Sequence, residues 1–178
     1  GDGTSSDDGI YVLLKEVLDN AIDEYMMGFG KQVTVEVNES SVMVRDHGRG
    51  IPLDKVVAVA SKMNTGAKYD SKAFKKSVGL NGVGIKAVNA LSTEFYIESV
   101  RDGQCKKAQF SRGEIAKDYD TMPSDEPNGT MVKFTPDASI FRDYIYREEF
   151  IVPLLKNYTF LNTGLAIHLN GKRFYSKN

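Results

Sequence analysis

The sequence contains little of the chemistry that marks metal-binding or disulfide-stabilised proteins. Its 178 residues include a single cysteine, Cys105, and only two histidines, His47 and His168. One cysteine excludes an internal disulfide, and without a cysteine–histidine cluster there is no indication of a zinc site. Hydrophobic residues make up 41% of the chain, which is enough for one compact domain with its own core.

Long apolar segments and an excess of one charge are also missing. The 23 basic and 24 acidic residues give a formal net charge of −1, so the chain lacks the basic excess that favours binding to nucleic acids or anionic membranes. No apolar run reaches the roughly 20 residues of a membrane-spanning helix, and no signal peptide begins the sequence. These features predict a cytoplasmic protein. Because the chain starts without methionine and stops just after a predicted strand, we expect 1–178 to be a single domain excised from a larger subunit.

The hydrophobic periodicity predicts several helices. Apolar residues at helical spacing predict a first helix at 10–27, with Asp7 or Asp8 as its N-cap and Gly28 as its stop. The same pattern predicts further helices at 53–63, 84–91 and 141–160. In the last of these, Pro153 must lie in a first turn or produce a kink, because proline lacks a backbone N–H.

Strands are predicted wherever apolar and polar residues alternate. Such segments occur at 31–38, 41–46, 94–100, 106–111 and 130–136, and as a hairpin at 165–176. The acidic segment 114–128 is predicted to be an exposed loop. Helices and mostly antiparallel strands in mixed order are typical of an α+β protein, here a two-layer sandwich in which helices cover a mostly antiparallel mixed sheet.

Three glycines, Gly79, Gly82 and Gly84, precede the third predicted helix in the stretch GLNGVGIKAVNALS (79–92). Their order differs from the dinucleotide fingerprint, and Ile85 stands where the Walker A loop needs lysine. Two interpretations stay open. The loop amides at a helix N-terminus could bind a phosphate, or the glycines provide only the clearance for a helix that packs closely on a sheet.

The first predicted helix carries a row of polar residues opposite its apolar stripe. Glu16, Asn20 and Glu24 are spaced i, i+4 and i+8 in the stretch EVLDNAIDE (16–24) and therefore share one face. A solvated helix face is the simplest interpretation. However, asparagine is a poor helix former, and its amide oxygen next to Glu16 could bind a hydrated Mg²⁺, which needs only one or two protein oxygens when it also binds nucleotide phosphates.

The loop DHGRGIP (46–52) follows the second predicted strand. An aspartate that begins a glycine-containing turn is ordinary turn chemistry. Alternatively, a half-buried Asp46 accepts a hydrogen bond from an amino group such as that of adenine, since an unmatched buried acceptor is costly. Arg49 is expected to pair with Glu24, and a planar guanidinium held in this way could stack on a base.

Taken together, these three stretches and GTMVKFTPD (129–137) resemble one family. Their order and spacing are similar to those of the ATPase domain of the B subunit of bacterial type IIA DNA topoisomerases, gyrase or topoisomerase IV, in the GHKL superfamily. The resemblance implies the Bergerat (GHKL) fold, binding of ATP and Mg²⁺, and ATP hydrolysis that drives a DNA clamp. It does not distinguish gyrase from topoisomerase IV. Other GHKL ATPases in mismatch repair or chaperones, a non-catalytic nucleotide-binding module and a plain interaction domain are the alternatives.

The resemblance also implies a role for individual residues. Glu16 would be the general base, Asn20 would bind Mg²⁺, and Asp46 with Thr130 would bind the adenine amino group. Glu24 and Arg49 would form an ion pair beside the base. The remaining implied nucleotide contacts are Gly50, Ile51, Pro52, Lys68, Gly79, Leu80, Asn81, Gly82, Val83, Gly84 and Ile85. Arg101 matches a position that contacts ATP-site inhibitors such as aminocoumarins.

The partners of the whole enzyme are implied by the same resemblance. They are an A-type subunit in a heterotetramer, and DNA that is bound only through the full-length enzyme at the nucleoid in the cytoplasm. No membrane is involved. The chain alone is expected to be mostly monomeric and to bind ATP but hydrolyse it poorly, because a lysine that contacts the γ-phosphate belongs to a following domain in this family.

Overall fold

Four helices occur in the part of the chain that the structure describes. The computed structural model describes the backbone of residues 4–61 and 83–177, and the side chains of residues 9–61 and 84–177. The helices are α1 (Thr4–Met26), α2 (Val56–Ala60), α3 (Val83–Ala90) and α4 (Glu148–Leu161), and one 3-10 turn (Leu53–Lys55) precedes α2. None of these described helices has both the length and the apolar character needed to cross a membrane.

Nine strands among the described residues form a single mixed sheet. They are β1 (Gln32–Val37), β2 (Val42–Asp46), β3 (Ser92–Arg101), β4 (Gln104–Ser111), β5 (Glu114–Asp118), β6 (Met122–Pro123), β7 (Gly129–Pro136), β8 (Ala166–Leu169) and β9 (Lys172–Tyr175). Their order is β5-β4-β3-β7-β2-β1-β8-β9, and β6 also pairs with β4. Only β1 and β8 run parallel among these pairs. The predicted α+β sandwich with a mostly antiparallel mixed sheet is confirmed.

The core lies between the helices and one face of the sheet. The apolar stripe of α1 is almost fully buried and consists of Ile10, Leu13, Leu14, Val17, Leu18, Ala21 and Ile22. It packs against the inward-facing residues of the strands, such as Val35 on β1 and Phe134 on β7. Alternate residues such as Glu36 and Lys133 are exposed, as the period of two in a strand requires. Each large side chain buried in this way contributes about 1.5–3 kcal/mol, so α1 is fixed firmly across the centre of the sheet.

Several predicted boundaries agree with the structure. The turn between β1 and β2 and the C-terminal hairpin of β8 and β9 are confirmed, the latter turning at Asn170 and Gly171, which both have positive φ. Gly28, with φ of +96°, ends α1 as predicted. The prediction of Asp7 or Asp8 as N-cap is wrong, because α1 begins at Thr4 and both aspartates lie inside it.

The predicted helix at 141–160 is wrong in its first seven residues, because α4 begins only at Glu148. Asp143 has φ of +54°, a left-handed conformation that cannot continue a right-handed helix. The hydroxyls of Tyr144 and Tyr146 donate to the carbonyls of Pro136 and Ile10 and thereby tie the segment to β7 and α1. Pro153 lies inside α4 rather than in its first turn.

The predicted exposed loop at 114–128 instead contains the two short strands β5 and β6, which pair with β4. Every residue of β5 is exposed, so the segment shows no alternation from which a strand could be predicted. The segment 53–63 is also less regular than predicted, since its described part is a 3-10 turn followed by the short helix α2.

Candidate functional site

A cavity of about 450 Å³ opens between α1 and the central strands of the sheet. Its floor is formed by Val44 on β2, Val132 on β7 and Ile97 on β3, which are register neighbours across the three strands. Val17 and Ala21 of α1 cover it from the other side. The volume and the apolar floor are those of a small-molecule pocket, in which a few polar groups determine orientation.

Asp46, the last residue of β2, is the most deeply buried acid that lines the cavity, with 7% of its surface exposed. Its Oδ1 accepts hydrogen bonds from the backbone amides of Gly48 (2.8 Å) and Thr130 (3.2 Å). No described residue donates to Oδ2. Burial raises the pKa of Asp46 to about 6, although the two amide hydrogen bonds oppose the shift. The two amides therefore fix the carboxyl group and leave one oxygen available as an acceptor for a ligand.

The loop after Asp46 is attached to the end of β3. Arg101 donates from Nη1 to the carbonyl of Gly50 over 2.7 Å, and Ser99 donates from Oγ to the carbonyl of Ile51 over the same distance. Gly50 has φ of +81°, and a side chain there would place its Cβ 2.4 Å from the carbonyl oxygen of Val100. The sequence thus needs glycine at this position because the loop touches the strand backbone.

Arg49 and Glu24 form the predicted ion pair at the rim of the cavity. Arg49 donates from Nη2 to Oε2 over 2.9 Å and from Nε to Oε1 over 3.3 Å, and its backbone amide also donates to Oε1. These hydrogen bonds lower the pKa of Glu24. The guanidinium also lies 4.4 Å from the ring centre of Phe29. Together these contacts hold a side chain that is 45% exposed in one orientation.

Glu16, on α1, lies beside the start of α3. It does not line the cavity itself, but Asn20, one turn further along α1, and Ile85, next to Gly84 on α3, both do. A Cβ added to Gly84 would lie only 1.9 Å from Oε1 of Glu16, so the carboxylate rests directly on that glycine. Burial, and secondarily the charge of Asp19, raises the pKa of Glu16 to about 7. A half-buried carboxyl with this pKa can take up and release a proton near neutral pH.

The structure brings most of the predicted site residues together. Those that line the cavity are Asn20, Glu24, Asp46, Arg49, Gly50, Ile51, Pro52, Ile85, Arg101 and Thr130. Glu16 and Gly84 are in contact at its edge, and Val83 begins α3. Five predicted contacts, Lys68, Gly79, Leu80, Asn81 and Gly82, lie outside the described residues.

Two kinds of residue in the site were not predicted from the sequence. The first is the apolar wall, with Val44, Ile97 and Val132, because the periodicity of a pocket wall is the same as that of a packed core. The second is Phe29, whose contact with Arg49 depends on a tertiary approach. The only local signal for Phe29 was an exposed aromatic residue between two glycines directly after a helix.

An α+β sandwich with an apolar pocket, a buried acceptor in its wall and a carboxyl with a raised pKa at its edge defines a class of ligand-binding domain. Comparison with known proteins identifies the class as an ATPase fold. Residues 5–140 match the model of the histidine kinase-, DNA gyrase B- and HSP90-like ATPases, and the chain belongs to this family.

Individual relatives are similar along almost the whole chain. The B subunit of DNA topoisomerase 4 from Borreliella burgdorferi is 48% identical over 178 residues, which are 100% of this chain and 30% of the relative. The B subunit of DNA gyrase from Streptococcus pyogenes serotype M1 is 34% identical over 96% of this chain and 28% of its own length. The chain therefore spans about 30% of the length of these curated relatives.

A solved structure shows the same fold. The 43K ATPase domain of Thermus thermophilus gyrase B, in complex with an aminocoumarin, superimposes with a TM-score of 0.76 at 30% sequence identity. The match covers 96% of this chain and 47% of that chain. The prediction of a GHKL-type fold is thereby confirmed.

Proposed function

We propose that this chain binds ATP in the cavity and takes part in its hydrolysis, as the ATPase domain of the B subunit of a type IIA DNA topoisomerase. The observation that carries this proposal is one apolar cavity that the buried acceptor Asp46, Asn20 and Ile85 all line, with Glu16 at its edge in contact with Gly84 of α3. A purine between β-strands and α1 would place its phosphates toward Glu16. The family membership and the identity to topoisomerase subunits support the same function.

The adenine end of the proposed site is built around Asp46. Its Oδ2 would accept from the adenine amino group, since Oδ1 is already used by two backbone amides. Val44, Val132 and Ile97 would contact the face of the ring. Arg49, held by Glu24, would flank the base, where its planar guanidinium can stack on a face of the ring. Discrimination for adenine would then come from one buried acceptor that a different base leaves unmatched.

The phosphate end contains Glu16, Asn20 and the first residues of α3. Glu16 would accept the proton of the attacking water, which requires the ionised carboxylate. The N-terminal amides of α3, from Val83 onward, lack helical partners and favour an anion. Positioning and electrostatic stabilisation would therefore account for most of the rate of phosphoryl transfer.

Mg²⁺ fits this end of the site. Asn20 is exposed and lines the cavity, and no described residue hydrogen-bonds its amide. Among the described residues there is also no group of three or more histidine, cysteine or acidic side chains suited to a metal ion. A magnesium ion would therefore be held by Asn20 together with phosphate oxygens and water, as is usual for nucleotide-bound magnesium. When bound, it would neutralise charge on the phosphates.

The proposal extends to the larger protein. We infer that residues 1–178 form one domain of a B-type subunit, because the curated relatives are about three times longer. In that subunit, ATP binding would close a clamp on DNA, and an A-type subunit would complete a heterotetramer at the nucleoid in the cytoplasm. Aminocoumarins and other ATP-site inhibitors would bind the same cavity and contact Arg101, which lines its rim.

Binding can be tested by isothermal titration of the chain with a non-hydrolysable ATP analogue, with and without Mg²⁺. We expect one site per chain, tighter binding with Mg²⁺, and displacement of the analogue by an aminocoumarin. A GTP analogue is the matched control, because its 6-oxo group presents an acceptor to the acceptor Asp46. Absence of binding, or equal affinity for both nucleotides, would contradict the proposed site.

The pH dependence of hydrolysis is expected to report Glu16. Because the pKa of Glu16 is raised to about 7 in the nucleotide-free protein and a base must be ionised, kcat/KM should rise with pH through about 7 and then level off. kcat/KM is the informative quantity because it reports the groups of the free protein, whereas kcat reports groups in the complex. Substituting Asp19→Asn removes a negative charge that raises this pKa, and should move the rise in kcat/KM to lower pH. A profile that stays flat across neutral pH would refute this expectation.

A further inference from the structure

Gly84 occupies a position where the backbone alone does not require glycine. It is the second residue of α3 and is buried. A helical conformation is open to every residue except proline, and alanine stabilises a helix better than glycine does. The absence of a side chain at this position therefore needs a reason from its surroundings.

Among the described residues, the nearest side chain to the place of a Cβ at Gly84 is that of Glu16. A Cβ built on Gly84 would lie 1.9 Å from Oε1, 2.9 Å from Cδ and 3.3 Å from Cγ of Glu16, and these are its three nearest atoms. The space that any other residue would fill is thus the space that this carboxylate occupies. The clearance at Gly84 is therefore filled first by a side chain of α1 and not by the backbone of the sheet.

We propose that Gly84 is a positioning residue for Glu16. Because Gly84 has no side chain, the carboxylate of the proposed general base can occupy the space beside it. The inference rests on the proposed function of Glu16. It differs from a role in wrapping phosphates through the backbone, because alanine keeps the same N–H group at this position. Contact with α3 would thus hold Glu16 at the helix end where the phosphates are proposed to bind.

Substitution of Gly84 should displace the base while the fold is retained. With alanine present, Oε1 must move by about 1 Å or more, because Cβ contacts below 3.0 Å are essentially never observed. The atoms that must move are the far end of a flexible, half-buried side chain, so the helix itself can keep its place. A misplacement of about 1 Å can lower a catalysed rate by about 100-fold.

The test compares Gly84→Ala, Glu16→Gln and the double variant in the full-length subunit with its A-type partner. For Gly84→Ala we expect kcat to fall by about 100-fold, with the affinities for ADP and for a non-hydrolysable ATP analogue little changed. The double variant should hydrolyse ATP at the rate of Glu16→Gln alone, because the alanine then has no base to displace. Thermal unfolding should show that Gly84→Ala is as stable as the wild type.

Other results would overturn the inference. If Gly84→Ala weakens the triphosphate analogue much more than ADP, the glycine provides room for phosphate instead. If kcat is unchanged, Glu16 does not depend on this contact. A variant that does not fold would show that more than a side-chain tip fills the space. If Glu16→Gln itself hydrolyses ATP normally, the proposed function of Glu16 fails. If Glu16→Gln is inactive but Gly84→Ala is active, the function of Glu16 stands and only the positioning role of Gly84 fails.

Discussion

Replacing Glu16 with glutamine is expected to abolish ATP hydrolysis and to leave ATP binding nearly intact. Glutamine has the same shape but cannot accept the proton of the attacking water, and loss of a general base typically lowers a rate by about 10²–10⁴-fold. Binding should persist because the proposed contacts to adenine are around Asp46, which lines the cavity, whereas Glu16 lies outside its lining. Steady-state turnover and titration of a non-hydrolysable analogue, both in the full-length subunit, measure the two quantities separately.

A matched control for this variant is Glu36→Gln. Glu36 is an exposed residue of β1 and is outside the set of residues that line the cavity, so the same chemical change there should leave turnover unaffected. Normal hydrolysis by Glu16→Gln would remove Glu16 from the role of base. Loss of binding together with hydrolysis would instead show that its charge helps to bind the nucleotide.

Substituting Asp46→Asn is expected to weaken ATP binding by about 1–3 kcal/mol, or roughly ten- to a hundredfold in Kd. The asparagine oxygen can still accept from the amides of Gly48 and Thr130, which hold Oδ1 in the wild type. Its amide nitrogen then replaces Oδ2 and presents a donor to the adenine amino group, which is also a donor. Isothermal titration with an ATP analogue measures the loss.

The same variant should favour inosine triphosphate, whose 6-oxo group accepts the hydrogen bond that the introduced amide nitrogen would donate. Opposite changes for the two nucleotides cannot result from partial unfolding.

The Asp46→Asn substitution should also not lower the stability of the fold at neutral pH. Burial raises the pKa of Asp46 from 3.8 to about 6. The folded state is therefore less stable when this carboxyl ionises, and this stability is lost as pH rises through about 6. Asparagine does not ionise and avoids the loss. Unchanged affinities for both nucleotides would exclude Asp46 from the site.

Strict periodicity made much of the fold predictable. The stripe of α1 and the alternation in β3 and β7 each match one buried face, so the helix and the strands were predicted with small errors at their ends. The strand β5 has no buried face and therefore no alternation of apolar and polar residues from which it could be predicted. In the segment 141–147 the spacing of aromatic residues resembles that of a helix. The hydroxyls of Tyr144 and Tyr146 instead hydrogen-bond this irregular segment to β7 and α1.

The site was predictable where its residues belong to one element. The row of Glu16, Asn20 and Glu24 follows from helical spacing alone. The pairing of Glu24 with Arg49 joins two elements and was expected from their opposite charges. Other contacts between distant elements carry no such signal. Neither the stacking of Phe29 on Arg49 nor the approach of Glu16 to Gly84 can be predicted before the helices are placed on the sheet.

The floor of the cavity belongs at the same time to the hydrophobic core, and this has a consequence for escape from inhibitors. Ile97 and Val132 are 1% and 4% exposed and hold β3 and β7 in the sandwich. A mutation that removes an inhibitor's contact with such a floor also leaves a void, which for a buried isoleucine cut back to alanine costs about 2–5 kcal/mol. If the proposed ATP-site inhibitors bind this cavity, resistance should arise at the rim, where Arg101 is only partly buried, and compounds that contact mainly the floor should be harder to escape by mutation.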